Sequence, residues 1–145
     1  MQTPRLRSES DPSSPVPTDL VGIGPHDQFA LASTIRSQRV AWHAAYESVD
    51  ELGRDMVPRS PFVLLLDGDF GGDALINLLE EHMSLVARNA TILQITKPPV
   101  RLAVLAMQRG VLDILVKPVS PGRLDAVLKD ALVECDSRRR CRARH

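Results

Sequence analysis

Asp67, Thr96 and Lys117 each stand at or just past the carboxyl end of an apolar run: FVLLL (62–66), TILQI (91–95) and LDILV (112–116). If these runs are strands of one open parallel α/β sheet, their carboxyl ends bring the three side chains to one edge, where such sheets gather reactive groups. A carboxylate, a hydroxyl and an ammonium together can accept a phosphoryl group. Asp67 would attack, Thr96 would hydrogen-bond a phosphoryl oxygen, and Lys117 would offset the developing charge. Singly, each has a plainer explanation: an aspartate after a strand is commonly a turn residue or cap, a threonine suits a strand, and a lysine is commonly a solvated charge. The chemical reading therefore depends on the elements that position them.

Along the chain, short β-type runs alternate with longer segments of helical spacing, which predicts a parallel sheet covered by helices. Strands are expected at 20–24, 40–45, 62–66, 91–95 and 112–116, and helices at 26–38, 48–57, 73–88, 100–109 and 121–135. FVLLL is apolar on both faces, as a central strand between two helical layers must be. Helical spacing shows in Val49, Leu52 and Met56, in Leu75, Leu78, Leu79 and His82, and in Leu124, Val127, Leu128 and Ala131. Ser48 and Ser120 are placed to cap the second and fifth helices, Pro121 suits a first turn, and Gly110 suits the end of the fourth. Five βα units follow: a single-domain (βα)5 α/β fold with a doubly wound parallel sheet. In the fourth helix Leu102 to Met107 is apolar without interruption. A surface helix of that kind covers more than one partner.

The chain's 145 residues, 43% hydrophobic and 3% aromatic, suit one domain with a core of Leu, Val, Ile and Ala. Residues 1–19 hold four Pro and four Ser and little to bury, the composition of a disordered leader. Residues 20–135 read as the folded domain and 136–145 as a basic tail, with five Arg against one Asp in a chain of zero formal net charge. That tail has no aromatics for stacking, so nucleic acid is not an expected partner. No apolar run approaches the ~18 residues a membrane span needs, and the reading is a soluble, cytoplasmic protein. Cys135 and Cys141 lack the spacing of a metal site or a disulfide framework. GIGP (22–25) is a lone G-x-G, a weak sign of a nucleotide- or flavin-binding protein of similar topology.

Three segments, LLLDGDFGGDALINLL, TILQIT and LAVLAMQRGVLDILVKP, make residues 20 to 133 resemble the receiver domain of bacterial response regulators. Lys117 follows Asp67 at the family's usual interval, and the resemblance implies flavodoxin-like topology, phosphoacceptance at Asp67 with Thr96 and Lys117 in support, and a cis Lys117–Pro118 bond. It also marks departures. The acidic pair that helps receivers hold Mg²⁺ aligns with Gly24 and Pro25, and Asp27, the nearest acid, is expected in a first helical turn. Asp67 and Asp69 remain as metal ligands, so Mg²⁺ binding is expected to be weak. Lys97 stands where the family has a small residue, and Ile114 where it commonly has an aromatic. The chain thus resembles an atypical receiver that is no enzyme beyond self-phosphorylation and acts by protein–protein interaction in a phosphorelay. The implied partner is a histidine kinase or another signalling protein, or a second copy across the fourth helix, fifth strand and fifth helix, with Leu102, Leu105, Met107 and Ile114 on that face. The alternative is a working regulator phosphorylated on Asp67.

Overall fold

FVLLL lies at the centre of the sheet, and its residues divide between two cores. The computed structural model describes residues 16–55, 61–69 and 73–143. Its strands are β1 Thr18–Ile23, β2 Val40–Tyr46, β3 Val63–Asp67, β4 Ala90–Ile95 and β5 Val111–Val116, all parallel, in the order β2-β1-β3-β4-β5. This is the doubly wound, flavodoxin-like order, and its switch point lies between the carboxyl ends of β1 and β3. The helices are α1 Val49–Arg54, α2 Ala74–Glu81, α3 Met83–Arg88, α4 Val100–Gln108 and α5 Pro121–Ala143. Val63 and Leu65 face Leu124, Val127, Leu128 and Ala131 of α5 in one core. Leu64 and Leu66 join Leu52, Leu79, Val86 and Ala106 of the other four helices in the second.

The expected helix over 26–38 does not form. Two 3-10 turns, His26–Phe29 and Ala32–Thr34, take its place, and Ile35 leaves helical space at φ −72°, ψ 119°. The cause is local: Ser33 Oγ donates to Ala30 O at 2.9 Å and Thr34 Oγ1 to Leu31 O at 2.7 Å. Ser37 Oγ in turn accepts from the N–H groups of Arg39 and Val40. Hydroxyl side chains that bond nearby backbone favour turns over a continued helix. Phe29 and Ala32 are still buried, so the segment covers its face of the sheet without being a helix.

Four other boundaries differ. The expected helix at 73–88 breaks at His82 (φ −121°, ψ 41°) into α2 and α3. The helix expected at 48–57 ends at Arg54; Met56 and Val57 lie outside the described residues. The last helix, expected to stop at 135, continues to Ala143, and β1 begins at Thr18 within the span read as leader, whose first fifteen residues are outside the description. Ser48 caps α1 as expected, accepting from Glu51 N at 3.1 Å, and Ser120 accepts from Arg123 N at 3.2 Å below α5. Gly110 ends α4 with φ 100°, a left-handed conformation that suits glycine. Lys117–Pro118 is cis. No described helix is long and apolar enough to cross a membrane.

Arginines in the segment read as a tail reach the amino edge of the sheet. Arg138 donates to the carbonyls of Ala87 and Asn89, the latter at 3.1 Å, and pairs with Glu134. Arg139 donates to Thr18 Oγ1 at 2.8 Å and Pro61 O at 3.2 Å. These bonds continue the helix past the last core residue, Cys135.

Candidate functional site

β3 ends in Asp67, whose side chain is fully buried at the switch point. β5 runs into Lys117, and its ammonium crosses to Asp67 Oδ2 at 2.9 Å. The turn after β3 brings in a second carboxylate: Asp69 N–H donates to Asp67 Oδ1 at 2.8 Å, and Asp69 Oδ2 lies 3.0 Å from Lys117 Nζ. Thr96, just past β4, donates from Oγ1 to Asp69 Oδ2 at 2.7 Å and from its N–H to Asp69 Oδ1 at 3.1 Å. Asp67, Thr96 and Lys117 do converge at one edge, but Thr96 is bonded to Asp69 and Lys117 is shared by both aspartates.

Two further side chains complete the network. Gln28, on the first 3-10 turn, accepts from Lys117 Nζ at 2.6 Å through Oε1. Gln94, nearly buried on β4, donates to the Gln28 backbone carbonyl at 2.8 Å and approaches Asp67 Oδ2 at 3.4 Å. Gln94 carried a signal in the sequence, as the one amide in the apolar run ATILQI. Gln28 carried none, because its place depends on the turns that replace the expected helix.

Electrostatics hold the charges in their ionised forms. Burial opposes ionisation of Asp69, but the Thr96 hydrogen bonds and Lys117 outweigh it and keep its carboxyl below the usual 3.8. Burial likewise disfavours the Lys117 ammonium, and its bonds to Asp67 and Asp69 prevail, raising its pKa above 10.5. At neutral pH Asp69 is thereby held as a carboxylate and Lys117 as an ammonium.

Gly24 and Pro25 are where the acidic pair was expected, and neither supplies a side-chain oxygen. Gly24 has φ 146°, and a Cβ placed on it would lie 2.7 Å from Asp67 Cβ, so no side chain enters from this position. Asp27 is exposed and lines a cavity of about 380 Å³ beside Lys117, while the lysine's ion pairs go to Asp67 and Asp69. The Mg²⁺ that the resemblance implies requires several oxygen ligands in near-octahedral array. Here both carboxylates are taken by Lys117, and among the described residues no group of three or more His, Cys, Asp or Glu could hold a metal. The pocket thus offers the ion two carboxylates, both shared with a cation. Lys97 is exposed and lines a groove with Asp69, Leu102 and Leu105.

On α4 the expected outer face is redistributed. Leu102, Leu105 and Ile114 pack against the core as half-buried residues, and the large apolar residues left exposed are Val100, Val104 and Met107, with Val116 on β5. The oily helix thus uses its leucines inward and its valines and methionine outward.

Solved structures share this architecture. A CheY-like response regulator receiver domain from Methanospirillum hungatei JF-1 superposes with TM-score 0.67 at 17% identity, covering 83% of this chain and 98% of that one. A pilus assembly-related protein from Burkholderia pseudomallei K96243 gives 0.64 at 22% identity, covering 83% and 92%. The signal receiver domain of a Luxo repressor protein from Vibrio parahaemolyticus gives 0.64 at 16% identity, covering 83% and 93%. At these identities the likeness establishes the receiver fold. No protein-family model matches the sequence, and no curated protein matches it.

Proposed function

We propose that the chain is an atypical response-regulator receiver acting as a protein–protein interaction module in phosphorelay signalling, with weak or no Mg²⁺-dependent phosphorylation of Asp67. The observation that carries this reading is Lys117 held between Asp67 and Asp69 beside a glycine that leaves no room for another acid. A phosphoacceptor relies on a metal and a cation to stabilise the transferred group. In this pocket the one cation is already engaged by the chain's own two carboxylates. Function then falls to the surface, where Val100, Val104, Met107 and Val116 offer exposed apolar area to a histidine kinase, another signalling protein or a second copy.

The test is labelling with acetyl phosphate and Mg²⁺, read by intact mass. The expected result is an unmodified protein. Stoichiometric labelling that Asp67→Asn abolishes would replace this reading with a working regulator, which the convergence of Asp67, Thr96 and Lys117 favours. The fold shared with the pilus assembly-related protein supports a further reading of the partner as part of such an assembly, distinguishable by which proteins co-purify with wild type and not with Val104→Asp.

A further inference from the structure

The Asp69 carboxylate makes the bonds that an anion carried on Asp67 would need. Its Oδ2 takes the Thr96 hydroxyl at 2.7 Å and the Lys117 ammonium at 3.0 Å, and its Oδ1 takes the Thr96 N–H at 3.1 Å. A phosphoryl group is a compact anion whose oxygens seek a hydroxyl, an ammonium and backbone N–H groups. All three kinds of donor already reach Asp69, the ammonium being shared with Asp67.

The placement follows from the turn after β3. Gly68 N–H still donates to Gln94 O at 2.8 Å, as if the strand continued, and Asp69 N–H then donates back to Asp67 Oδ1 at 2.8 Å. The second bond is an Asx-type turn, in which an aspartate side chain holds the backbone two residues on. It folds Asp69 over the buried Asp67, so the second carboxylate, 34% exposed, stands at the mouth of the pocket. A Cβ on Gly68 would come within 3.0 Å of Ile95 and Leu93, which keeps the turn tight against β4.

We propose that Asp69 is a resident substitute for a phosphoryl group, holding Thr96 and Lys117 permanently in the anion-engaged arrangement so that the module keeps one signalling state without modification. The proposal rests on the reading above and adds the residue that makes Asp67 chemistry unnecessary. It also defines a latent anion site between Thr96 and Lys117, which a small oxyanion fills when Asp69 is removed. Asp69 is part-exposed and lines an open groove, so the place it vacates is reached from solvent.

The experiment is chemical rescue in the full chain. Asp69→Ala is titrated with inorganic phosphate, with sodium chloride of matched ionic strength as control, and the Thr96 amide and methyl signals are followed by NMR. In the variant these signals move away from their wild-type positions, and phosphate returns them along a saturable curve. In wild type phosphate leaves them in place, and Lys117→Met added to Asp69→Ala abolishes the rescue. If phosphate does not restore the signals, or moves wild type equally, Asp69 is only a loop fastener and the proposal is wrong. Should Asp69→Ala fail to fold, Asp69→Gly vacates the same place with a residue that turns accept, and its response to phosphate decides the matter by the same criteria. Acetyl phosphate labelling of wild type tests the receiver reading separately, so the two can fail independently.

Discussion

At the carboxyl edge of the sheet Lys117 stands between two carboxylates, while at the amino edge Arg138 and Arg139 reach neutral carbonyls and a threonine hydroxyl. Both arrangements close an end of the sheet with cations from β5 or α5, yet their energetics differ. Removing one member of a buried ion pair strands a charge in a low-dielectric interior, whereas removing a cation from a carbonyl strands only a neutral acceptor. The carboxyl edge therefore sets the state of the site, and the amino edge fastens a helix.

Substitutions separate the two edges most sharply. Lys117→Met leaves the fully buried Asp67 without its cation and is expected to destabilise the fold by about 3 kcal/mol in urea melts. Adding Asp67→Asn removes the stranded charge and recovers most of that loss; an equal loss in the double variant would mean the lysine acts by packing.

Gly24→Ala comes next. It forces a Cβ against Asp67 at a φ that side chains rarely adopt, with an expected cost of about 1–3 kcal/mol. The disturbance should appear in the Asp69, Thr96 and Lys117 amide signals. Arg138→Ala frees the carbonyls of Ala87 and Asn89 and is expected to cost about 1–2 kcal/mol while leaving those signals unchanged. Movement of the Thr96 signal in that variant would show the edges to be coupled.

The smallest effect is with pH. Asp69 is held below its usual value, so its contribution is present above pH 3.8 and is lost as pH falls through the lowered value. Lys117 is raised, so its contribution is complete below pH 10.5 and is lost as pH rises through the raised value. The Thr96 amide shift should be flat from about pH 5 to about pH 9 and bend in acid, a bend that Asp69→Asn removes.

The strands were legible because an apolar run such as FVLLL declares a central strand by composition alone, and Ser48, Ser120 and Gly110 declared their caps. What escaped was decided by competition or by distance. The segment 26–38 has helical spacing, but Ser33, Thr34 and Ser37 bond their own backbone and break it into turns. Arg138 and Arg139 look like a solvated charge run, and only the sheet edge beneath α5 gives them partners. In the site, the sequence paired Asp69 with Asp67 as a candidate metal ligand. Its capture of Thr96 depends on the turn through Asp67 Oδ1, which spacing does not express.

The most direct test of a self-matched pocket is an amide NMR titration of wild-type protein with Mg²⁺ and beryllofluoride, a phosphoryl mimic on aspartate. The expected result is no change at Gly68, Asp69, Thr96 and Lys117. Saturable shifts centred on those residues and absent in Asp67→Asn would contradict it, and would mean that Lys117 releases Asp67 to a metal and an incoming anion.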